Sequence, residues 1–414
     1  MNFYLVGGAV RDKLLGLPVK DQDWVVIGGT PEALLKQGFK QVGADFPVFL
    51  HPQSKEEYAL ARQERKKGPG YKGFDCVFSP EVTLEEDLSR RDLTINAMAQ
   101  DDTGNIVDPF NGQQDLANRT LRHVSAAFIE DPLRVLRVAR FAARFHHLGF
   151  TIAKETMALM ADIVKAGEVD NLVAERIWQE TARALGERSP EVYFSALYEC
   201  GALEVIFPEL AKLSGVPQPA QHHPEIDTWV HSQMVLQVAT QLSEDIDVRF
   251  AALIHDLGKG LTPKQDWPRH IAHEKKGLAA IENLCERIKT PRETKELALL
   301  ACEFHTHVHQ VASLKNQTLL KFFNRADGQR KPDRFLKLLL VCEADARGRT
   351  GFTEIPYPQR DYLTQILYVL RTIDTKALVA EGFQGARLGE AIQKKRLSLI
   401  AETKKRFWGG ENNE

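Results

Sequence analysis

Two aspartates one residue apart, Asp21 and Asp23, are the first side chains whose types and spacing indicate chemistry. They precede the apolar run WVVI (residues 24–27), which predicts a β-strand. Residues i and i+2 of a strand face the same side, so the two carboxylates repel each other unless a cation binds them. The pair is therefore either a solvated strand edge or a site for Mg²⁺, which prefers carboxylate oxygens together with substrate phosphates.

The upstream segment LVGGAVRD (residues 5–12) favours the metal interpretation. An apolar strand runs into Gly7 and Gly8 and then into a predicted helix. Glycine lets the backbone approach a phosphate closely, and the free N–H groups of a helix N-terminus bind anions. Beside such an anion site, a pair of carboxylates predicts bound Mg²⁺ ions that activate a hydroxyl and stabilise a leaving pyrophosphate.

Histidines form the second chemical signal, because nine of the 13 lie between residues 222 and 309. The sequence HDLGKG places His255 and Asp256 together at the end of an apolar helical run. A buried His–Asp pair costs free energy unless it is paired or binds a metal. Mixed His and Asp ligands suit Mn²⁺, Ni²⁺, Co²⁺ or Fe better than Mg²⁺, and such a metal lowers the pKa of bound water for attack on phosphorus.

The first ~125 residues carry most of the β-like runs, which are expected at residues 3–6, 24–27, 48–50, 58–61 and 105–108. Helices are predicted between them at residues 31–37 and 84–99. From Asp131 onward helical periodicity dominates, with Asp131 as an N-cap and Pro132 in the first helical position. The next helix combines a buried stripe with a basic stripe made of Arg134, Arg137, Arg140 and Arg144.

The composition fits a globular enzyme with several domains. The chain has 414 residues, of which 43% are hydrophobic and 27% charged, and two to four domains are expected. A net charge of −2 gives no overall basic signal, so RNA would be held by local patches such as residues 62–67, 394–396 and 404–406. The scattered cysteines, the absence of a signal peptide and the lack of a long apolar run predict a cytoplasmic location without membrane contact.

Three ordered motifs within residues 1 to ~210 resemble the nucleotidyltransferase superfamily of DNA polymerase β type. GGAVRDKLLG with the DxD pair is similar to the class II branch, which contains tRNA CCA-adding enzymes and bacterial poly(A) polymerases. SRRDLTINAMA (residues 89–99) and EDPLRVLRVARF (residues 130–141) match two further elements of that branch. The glycine-rich loop at residues 61–78 departs from the pattern of many relatives.

The resemblance implies a role for each motif residue. It makes Asp21 and Asp23 the Mg²⁺ ligands and assigns nucleotide contacts to Gly8, Arg11, Arg91, Asp92, Asp131, Arg134, Arg137 and Arg140. Asp131 and Arg134 would read the base edge, since a carboxylate accepts from the amino group that C and A share. The alternative role for Asp131 is the helix cap alone. Glu57 is the candidate for a third carboxylate.

The order H…HD…H…D resembles the HD metal-dependent phosphohydrolase superfamily. The implied metal ligands are His231, His255, Asp256 and Asp345, with His273 and His305 as further candidates. Lys259 is a candidate for holding the phosphate.

We therefore predict an α+β protein with a small mixed-sheet polymerase-β-like head, an all-α body and an all-α HD domain. The expected bounds are residues 1–128 for the head, 129–215 for the nucleotide-selecting body, 225–345 for the HD domain and 346–414 for a helical tail. A proline-rich break at residues 215–225 separates body and HD domain.

The predicted function is addition of C, C and A to the 3′ end of tRNA from CTP and ATP, with release of pyrophosphate. The HD domain would add phosphatase, 2′,3′-cyclic phosphodiesterase or 2′-nucleotidase activity with Ni²⁺, Mn²⁺ or Co²⁺. We expect no DNA partner and a monomer or weak homo-oligomer. Two alternatives are a poly(A) polymerase and a metal-dependent phosphohydrolase whose N-terminal module binds RNA without catalysis.

Overall fold

A computed structural model describes residues 1–42, 48–66 and 74–409. The chain divides into two compact units, Met1–Ile206 and Phe207–Glu414. Parts of the predicted basic loop at residues 61–78 and of the C-terminal tail lie outside the described residues.

The first unit begins with a seven-stranded mixed sheet in the order β3-β4-β5-β2-β1-β8-β9. Its strands are β1 (Asn2–Val6), β2 (Asp23–Ile27), β3 (Lys40–Val42), β4 (Val48–Leu50), β5 (Glu57–Leu60), β8 (Ala99–Gln100) and β9 (Ile106–Val107). The apolar runs predicted as strands are all present. β2 pairs antiparallel with β1 and parallel with β5, in a register that places Asp23 opposite both Val6 and Glu57.

Two small two-stranded sheets complete the strands of the first unit. β6 (Arg62–Lys66) pairs antiparallel with β7 (Phe74–Phe78), and β10 (Thr120–Leu121) pairs parallel with β11 (Thr151–Ile152). The short helices of the head are α1 (Gly8–Leu14), α2 (Pro31–Lys36), α3 (Leu84–Ser89) and α4 (Gly112–Ala117).

The single helix predicted for residues 84–99 is wrong. A capping box between Thr83 and Glu86 starts α3, but α3 ends at Ser89. Beyond it the Asp92 carboxylate accepts hydrogen bonds from the Leu93 N–H and the Asn96 amide, at 2.8 and 2.9 Å. These side-chain bonds compete with helical ones and fold the segment into a 3₁₀ turn before β8.

The rest of the first unit is helical: α5 (Leu133–Phe145), α6 (Lys154–Lys165), α7 (Ala174–Leu185), α8 (Pro190–Glu199) and α9 (Ala202–Ile206). The apolar stripe of α5 is buried as predicted, and α5 packs on α7 and α8. The helix begins one residue later than expected, with Pro132 in the cap position, and Asp131 Oδ1 accepts the Leu133 N–H at 3.1 Å. Asp131 thus does cap the first turn.

The second unit is helical throughout its described residues, 207–409, apart from one isolated bridge between Pro217 and Asp227. Its helices are α10 (Pro208–Ala211), α11 (Thr228–Leu242), α12 (Ile246–Ile254), α13 (His273–Arg287), α14 (Arg292–His309), α15 (Asn316–Arg325), α16 (Pro332–Arg347), α17 (Pro358–Arg371), α18 (Thr375–Ala380) and α19 (Gly385–Trp408). α11, α12, α14 and α16 pack on one another, and most of them belong to the histidine-rich segment. None of the helices in the described chain is long and apolar enough to cross a membrane.

Candidate functional sites

The first unit contains a polar cavity of 930 Å³. All ten residues that the sequence motifs predicted for the transferase site line it: Gly8, Arg11, Asp21, Asp23, Arg91, Asp92, Asp131, Arg134, Arg137 and Arg140. They come from α1, the segment that leads into β2, the turn after α3, and α5 with the residue before its cap. Three motifs that are distant in sequence therefore meet at one surface.

Gly7 closes the β1–α1 turn with a φ of +68°, a conformation that side chains with a Cβ rarely adopt. A Cβ at this position would lie 2.8 Å from Arg91 Nη1. Glycine therefore lets the guanidinium of Arg91 lie directly over the turn. The consequence is a positive charge beside the backbone N–H groups that begin α1.

The Asp21 and Asp23 carboxylates lie at the edge of this cavity. Desolvation raises the pKa of Asp23, the positive charge of Arg91 lowers it, and the negative charge of Asp21 raises it further. A net rise means that the ionised carboxylate is disfavoured in the protein without a cation. Two carboxylates with this mutual repulsion are a donor set that fits Mg²⁺.

Glu57 lies beside Asp23 in the parallel pairing of β2 with β5. Asp21, Asp23 and Glu57 also line a neighbouring cavity of 520 Å³. This placement is compatible with the candidate third carboxylate, which stays a prediction.

The Asp92 carboxylate is buried and fully engaged by protein donors. Besides the bonds to Leu93 and Asn96, its Oδ2 accepts from Arg137 Nε at 2.9 Å and Nη2 at 2.6 Å. Burial alone would raise the pKa of Asp92, but Arg137 and these hydrogen bonds hold it well below its ordinary value. This motif residue, which is expected to contact the nucleotide, therefore carries a full negative charge.

Two further motif arginines are buried in the cavity wall. Arg11 donates from Nε to Asp12 at 2.8 Å and from Nη1 to Asn96 at 2.5 Å, and its guanidinium lies over the ring of Phe145 at 5.0 Å. Arg140 donates from Nε to Glu180 on α7 at 2.6 Å. These contacts fix the positions of both cations before a ligand arrives.

Asp131 and Arg134, the predicted base-reading pair, are also held by the protein. Arg134 donates to the carbonyl oxygens of Ala127 and Arg90, at 2.6 and 2.5 Å. While Asp131 Oδ1 caps α5, its Oδ2 lies 3.3 Å from Arg176 Nη2 on α7. The cap and the second contact use different oxygens of one carboxylate.

The cavity also contains basic side chains outside the ten predicted site residues, namely Lys20, Arg62, Arg90, Arg144, Arg176 and Arg183. Arg62, Arg90 and Arg144 belong to a basic patch, a motif and a basic stripe that the sequence analysis identified, whereas Lys20, Arg176 and Arg183 were not predicted. Arg176 and Arg183 lie two helical turns apart on α7, at i and i+7, which is the only sequence signal that could have placed them on one face. Their place in the cavity follows from the packing of α7 on α5.

The second candidate site is a buried cluster in the second unit, where His231, His255, Asp256 and Asp345 meet. His231 Nε2 lies 3.0 Å from Asp345 Oδ1, and His255 Nε2 lies 3.3 Å from Asp256 Oδ2. The four residues come from α11, the end of α12 and α16. All four predicted ligands are thus brought together.

His273 and His305 occupy the other side of Asp256. Their Nε2 atoms lie 3.3 and 3.5 Å from Asp256 Oδ1 and 3.1 Å from each other. Asp256 therefore stands between two groups of histidines.

The histidine orientations fit metal binding. The Nδ1 atoms of His231, His255, His273 and His305 each lie 2.8 to 3.1 Å from a backbone carbonyl oxygen. Donation from Nδ1 leaves the Nε2 lone pair for a metal, as in second-shell control of metal sites. In addition, His255 Nε2 and Asp256 Oδ1 are buried without a hydrogen bond within the described part of the chain. A cation would satisfy both atoms.

The charges of the cluster depend on these neighbours. Burial alone would lower the pKa of His255, but the Asp256 and Asp345 carboxylates raise it to about 10. Burial lowers the pKa of His305 to about 3, so this ring is neutral at pH 7.

Three other histidines have different positions. His309, which was not predicted as a site residue, donates from Nε2 to Asp345 Oδ2 at 2.6 Å and contacts the Tyr357 hydroxyl through Nδ1. It lies four residues after His305 on α14, a helical spacing that could have identified it. His270 contacts Thr262 and the Pro217 carbonyl, and His307 is exposed against Phe304.

Three segments of the chain match described protein families. Residues 3–122 match the family described as poly A polymerase head domain, and residues 149–213 match the probable RNA and SrmB-binding site of polymerase A. Residues 228–349 match the HD domain.

Similarity extends over nearly the whole chain. A multifunctional CCA protein of Hahella chejuensis is 61% identical over 98% of this chain and 96% of its own length. The chain belongs to the multifunctional CCA protein family. Its relative in Pseudoalteromonas atlantica is 58% identical over 97% of this chain and 99% of its own length. As a member of this family, the chain is a CCA-adding nucleotidyltransferase that carries an HD domain.

Solved structures share the fold. A CCA-adding enzyme in apo form II has a TM-score of 0.67 at 20% identity and covers 97% of this chain and 88% of that one. The Bacillus stearothermophilus CCA-adding enzyme in complex with CTP has a TM-score of 0.61 at 24% identity, covering 100% and 90%. The Thermotoga maritima enzyme complexed with tRNA has a TM-score of 0.64 at 19% identity, covering 99% and 91%. The predicted α+β class is confirmed.

Proposed function

We propose that the cavity of the first unit adds C, C and A to the 3′ end of tRNA, using CTP and ATP and releasing pyrophosphate. The observation that carries this proposal is the convergence of Asp21 and Asp23, the Gly7-Gly8 turn and the α5 arginines on one cavity. Mg²⁺ bound by Asp21 and Asp23 would lower the pKa of the tRNA 3′-hydroxyl and stabilise charge on the leaving group. Gly8, Arg11 and Arg91 would hold the triphosphate.

Nucleotide choice is assigned to Asp131 and Arg134, which the protein holds on the cavity wall. Asp131 Oδ2 would accept a hydrogen bond from the amino group shared by cytosine and adenine, with Arg176 orienting the carboxylate. UTP and GTP present a carbonyl there and would leave the carboxylate opposed by another acceptor. Arg137 and Arg140 would add contacts to the nucleotide or its phosphates.

The HD cluster is assigned a phosphohydrolase activity. Ni²⁺, Mn²⁺ or Co²⁺ bound by His231, His255, Asp256 and Asp345 would supply hydroxide for attack on phosphorus. The substrates are 2′,3′-cyclic phosphates, 2′-nucleotides or terminal phosphates. Removal of such a group would restore the free 3′-hydroxyl that nucleotide addition requires.

The transferase proposal is tested with tRNA that ends at the discriminator base, incubated with Mg²⁺ and CTP, ATP, UTP or GTP singly and in pairs. We expect addition to stop after C, C and A, read by sequencing of the 3′ ends. Long tails made only of A would favour a poly(A) polymerase instead. Absence of any incorporation would favour a phosphohydrolase with a non-catalytic RNA-binding module.

The hydrolase proposal is tested with tRNA that ends in a 2′,3′-cyclic phosphate. We expect phosphate removal to require a transition metal and to make the tRNA a substrate for nucleotide addition. Unchanged ends with every metal would contradict the proposal. We also propose that the enzyme acts in the cytoplasm, on the tRNA substrates proposed here, and that it is a monomer or weak homo-oligomer, which sedimentation would test.

A further inference from the structure

The HD cluster opens into a cavity of 190 Å³ whose wall includes three basic side chains, Lys259, Arg269 and Arg349. Two of the acidic cluster residues, Asp256 and Asp345, line the same cavity. Basic side chains beside a set of metal ligands can bind the oxygens of a phosphate group. The phosphorus atom can then face the metal. Lys259 and Arg349 differ in how far neighbouring residues already satisfy their N–H donors.

Lys259 is already engaged by its neighbours. Its Nζ lies 2.6 Å from Asp256 Oδ2 and 2.5 Å from Gln218 Oε1, and the residue is buried. An ammonium between two close acceptors has one remaining N–H. Lys259 therefore serves mainly to neutralise Asp256.

Arg349 differs from Lys259, because the contacts of its N–H groups with neighbouring acceptors are long. Nη2 lies 3.6 Å from Asp345 Oδ1, and Nη1 donates to the His222 carbonyl at the long distance of 3.5 Å. Nε is buried and has no hydrogen-bond partner in the described ranges 1–42, 48–66 and 74–409. The side chain retains 20% of its exposure, so its fork can be reached from the cavity.

Arg347, two residues earlier, provides a comparison within the same segment. Its Nε donates to the Thr353 carbonyl at 2.7 Å, and its Nη1 donates to Glu343 at 2.8 Å. These are short hydrogen bonds with good geometry, as expected of an arginine that stabilises the fold. Among the residues that the structure describes, Arg349 has no hydrogen bond of comparable length, although it lies beside a carboxylate of the metal cluster.

The backbone turn at Gly348 holds Arg349 in this place. A Cβ at Gly348 would lie 2.6 Å from the Cα of Val235 on α11, so only glycine allows α16 to end this close to α11. The Gly348 carbonyl oxygen also lies 3.1 Å from Nδ1 of His231. One turn therefore orients a predicted metal ligand and places the guanidinium of Arg349 beside the cluster.

We propose that Arg349 binds the phosphoryl oxygens of the substrate at the HD site. Its planar fork matches two oxygens of a phosphate ester or cyclic phosphate, which a lysine ammonium does not. This inference rests on the proposed phosphohydrolase function. A purely structural role, in which Arg349 only neutralises Asp345, makes a different prediction for phosphate binding.

The test uses the full chain with Asp21→Ala and Asp23→Ala, so that cobalt loads only the HD site. Inorganic phosphate is titrated into the Co²⁺-loaded protein while the visible Co²⁺ absorption is followed. We expect Arg349→Gln to raise the phosphate midpoint at least about tenfold, the loss of one charge-assisted contact. The phosphate midpoint of Arg349→Lys should fall between those of the parent and Arg349→Gln. Arg371→Gln removes the same charge at an exposed position, and its midpoint should equal that of the parent.

The same titration separates the possible failures. A structural role would appear as lower Co²⁺ stoichiometry or a lower Tm in Arg349→Gln, with an unchanged phosphate midpoint, and would overturn the proposal. Failure of phosphate to perturb the parent spectrum would overturn it as well. A third outcome is that phosphate binds and its midpoint depends on Arg349, but the protein hydrolyses no substrate. That result would reject the proposed hydrolase function and would still support Arg349 as a phosphate-binding residue.

Discussion

Arg137 and Asp92 form a two-point ion pair in which both Nε and Nη2 of the arginine donate to Asp92 Oδ2, at 2.9 and 2.6 Å. The pair joins α5 to the turn after α3, and hence two of the three sequence motifs. Asp92 is buried, whereas the Arg137 side chain is 32% exposed to solvent. The arginine thus reaches from the aspartate into the cavity.

Removal of Arg137 should destabilise the first unit, because Asp92 would stay buried without its cation. We expect Arg137→Ala to lower the free energy of unfolding by about 3 kcal/mol, and Asp92→Asn in the same chain to restore part of it. Urea unfolding measures both. Arg188→Ala, an exposed arginine of the same unit, is the control. Equal stability of Arg137→Ala and the control would contradict the role of the pair.

The same pair predicts a pH dependence of stability. The pKa of Asp92 is lower in the folded protein than in the unfolded chain, where it is about 4. The ionised carboxylate therefore contributes fully to the free energy of unfolding at pH 7, and this contribution is lost as the pH falls below about 4. The difference in unfolding free energy between the wild type and Asp92→Asn should therefore shrink between pH 5 and pH 3. A difference that is constant over this range would argue against an ionised Asp92.

Asp21 and Asp23 should be essential for activity and dispensable for folding. Loss of a metal ligand is expected to reduce nucleotide incorporation by about three orders of magnitude, which corresponds to several kcal/mol of transition-state stabilisation. Because the pKa of Asp23 is raised, Asp23→Asn should leave the Tm unchanged or raise it. Asp102→Ala, an exposed aspartate in a turn, is the control. Full incorporation by Asp21→Ala would mean that the site is elsewhere.

Arg176 should influence which nucleotide is accepted. Its contact with Asp131 Oδ2 orients the carboxylate that is proposed to read the amino group. We expect Arg176→Ala to reduce the discrimination between CTP and UTP, as a ratio of kcat/KM values, by about tenfold. Arg188→Ala again provides the control. An equal decrease in kcat/KM for all nucleotides would instead indicate that Arg176 is a general contact to the triphosphate.

Metal binding to the HD site should become tighter as the pH rises. A pKa of about 10 means that His255 is protonated at pH 7 in the metal-free protein, and binding must release that proton. We expect the Kd for Ni²⁺ to fall about tenfold per pH unit between pH 6 and pH 9. Equilibrium dialysis measures this, and a Kd independent of pH would contradict it.

His255→Ala should abolish metal-dependent hydrolysis and leave nucleotide addition intact, since the two sites lie in separate compact units. His307→Ala is the control, because this exposed ring does not contact the cluster. Hydrolysis that survives in His255→Ala would place the phosphohydrolase site elsewhere. Parallel assays of both activities on the same protein preparations decide this.

The sequence by itself determined the strands of the head, the helix that begins after Asp131 and the residue types of both sites. Apolar runs with period two, a helical stripe and motifs of fixed spacing are local properties, so they can be read without the fold. The single helix expected at residues 84–99 failed because Asp92 and Asn96 form side-chain hydrogen bonds that local propensity does not contain.

Only the tertiary structure decided which partners the site residues have. The contacts of Arg137 with Asp92, of Arg176 with Asp131 and of His309 with Asp345 join residues 36 to 45 positions apart. Such contacts arise when helices pack on one another and on the turns between them, and residue spacing in the sequence does not reveal that packing. For the same reason, the sequence showed that His255 and Asp256 were suited to a metal. Only the fold decided that Nδ1 of His231, His255, His273 and His305 faces a backbone carbonyl and leaves Nε2 for the metal.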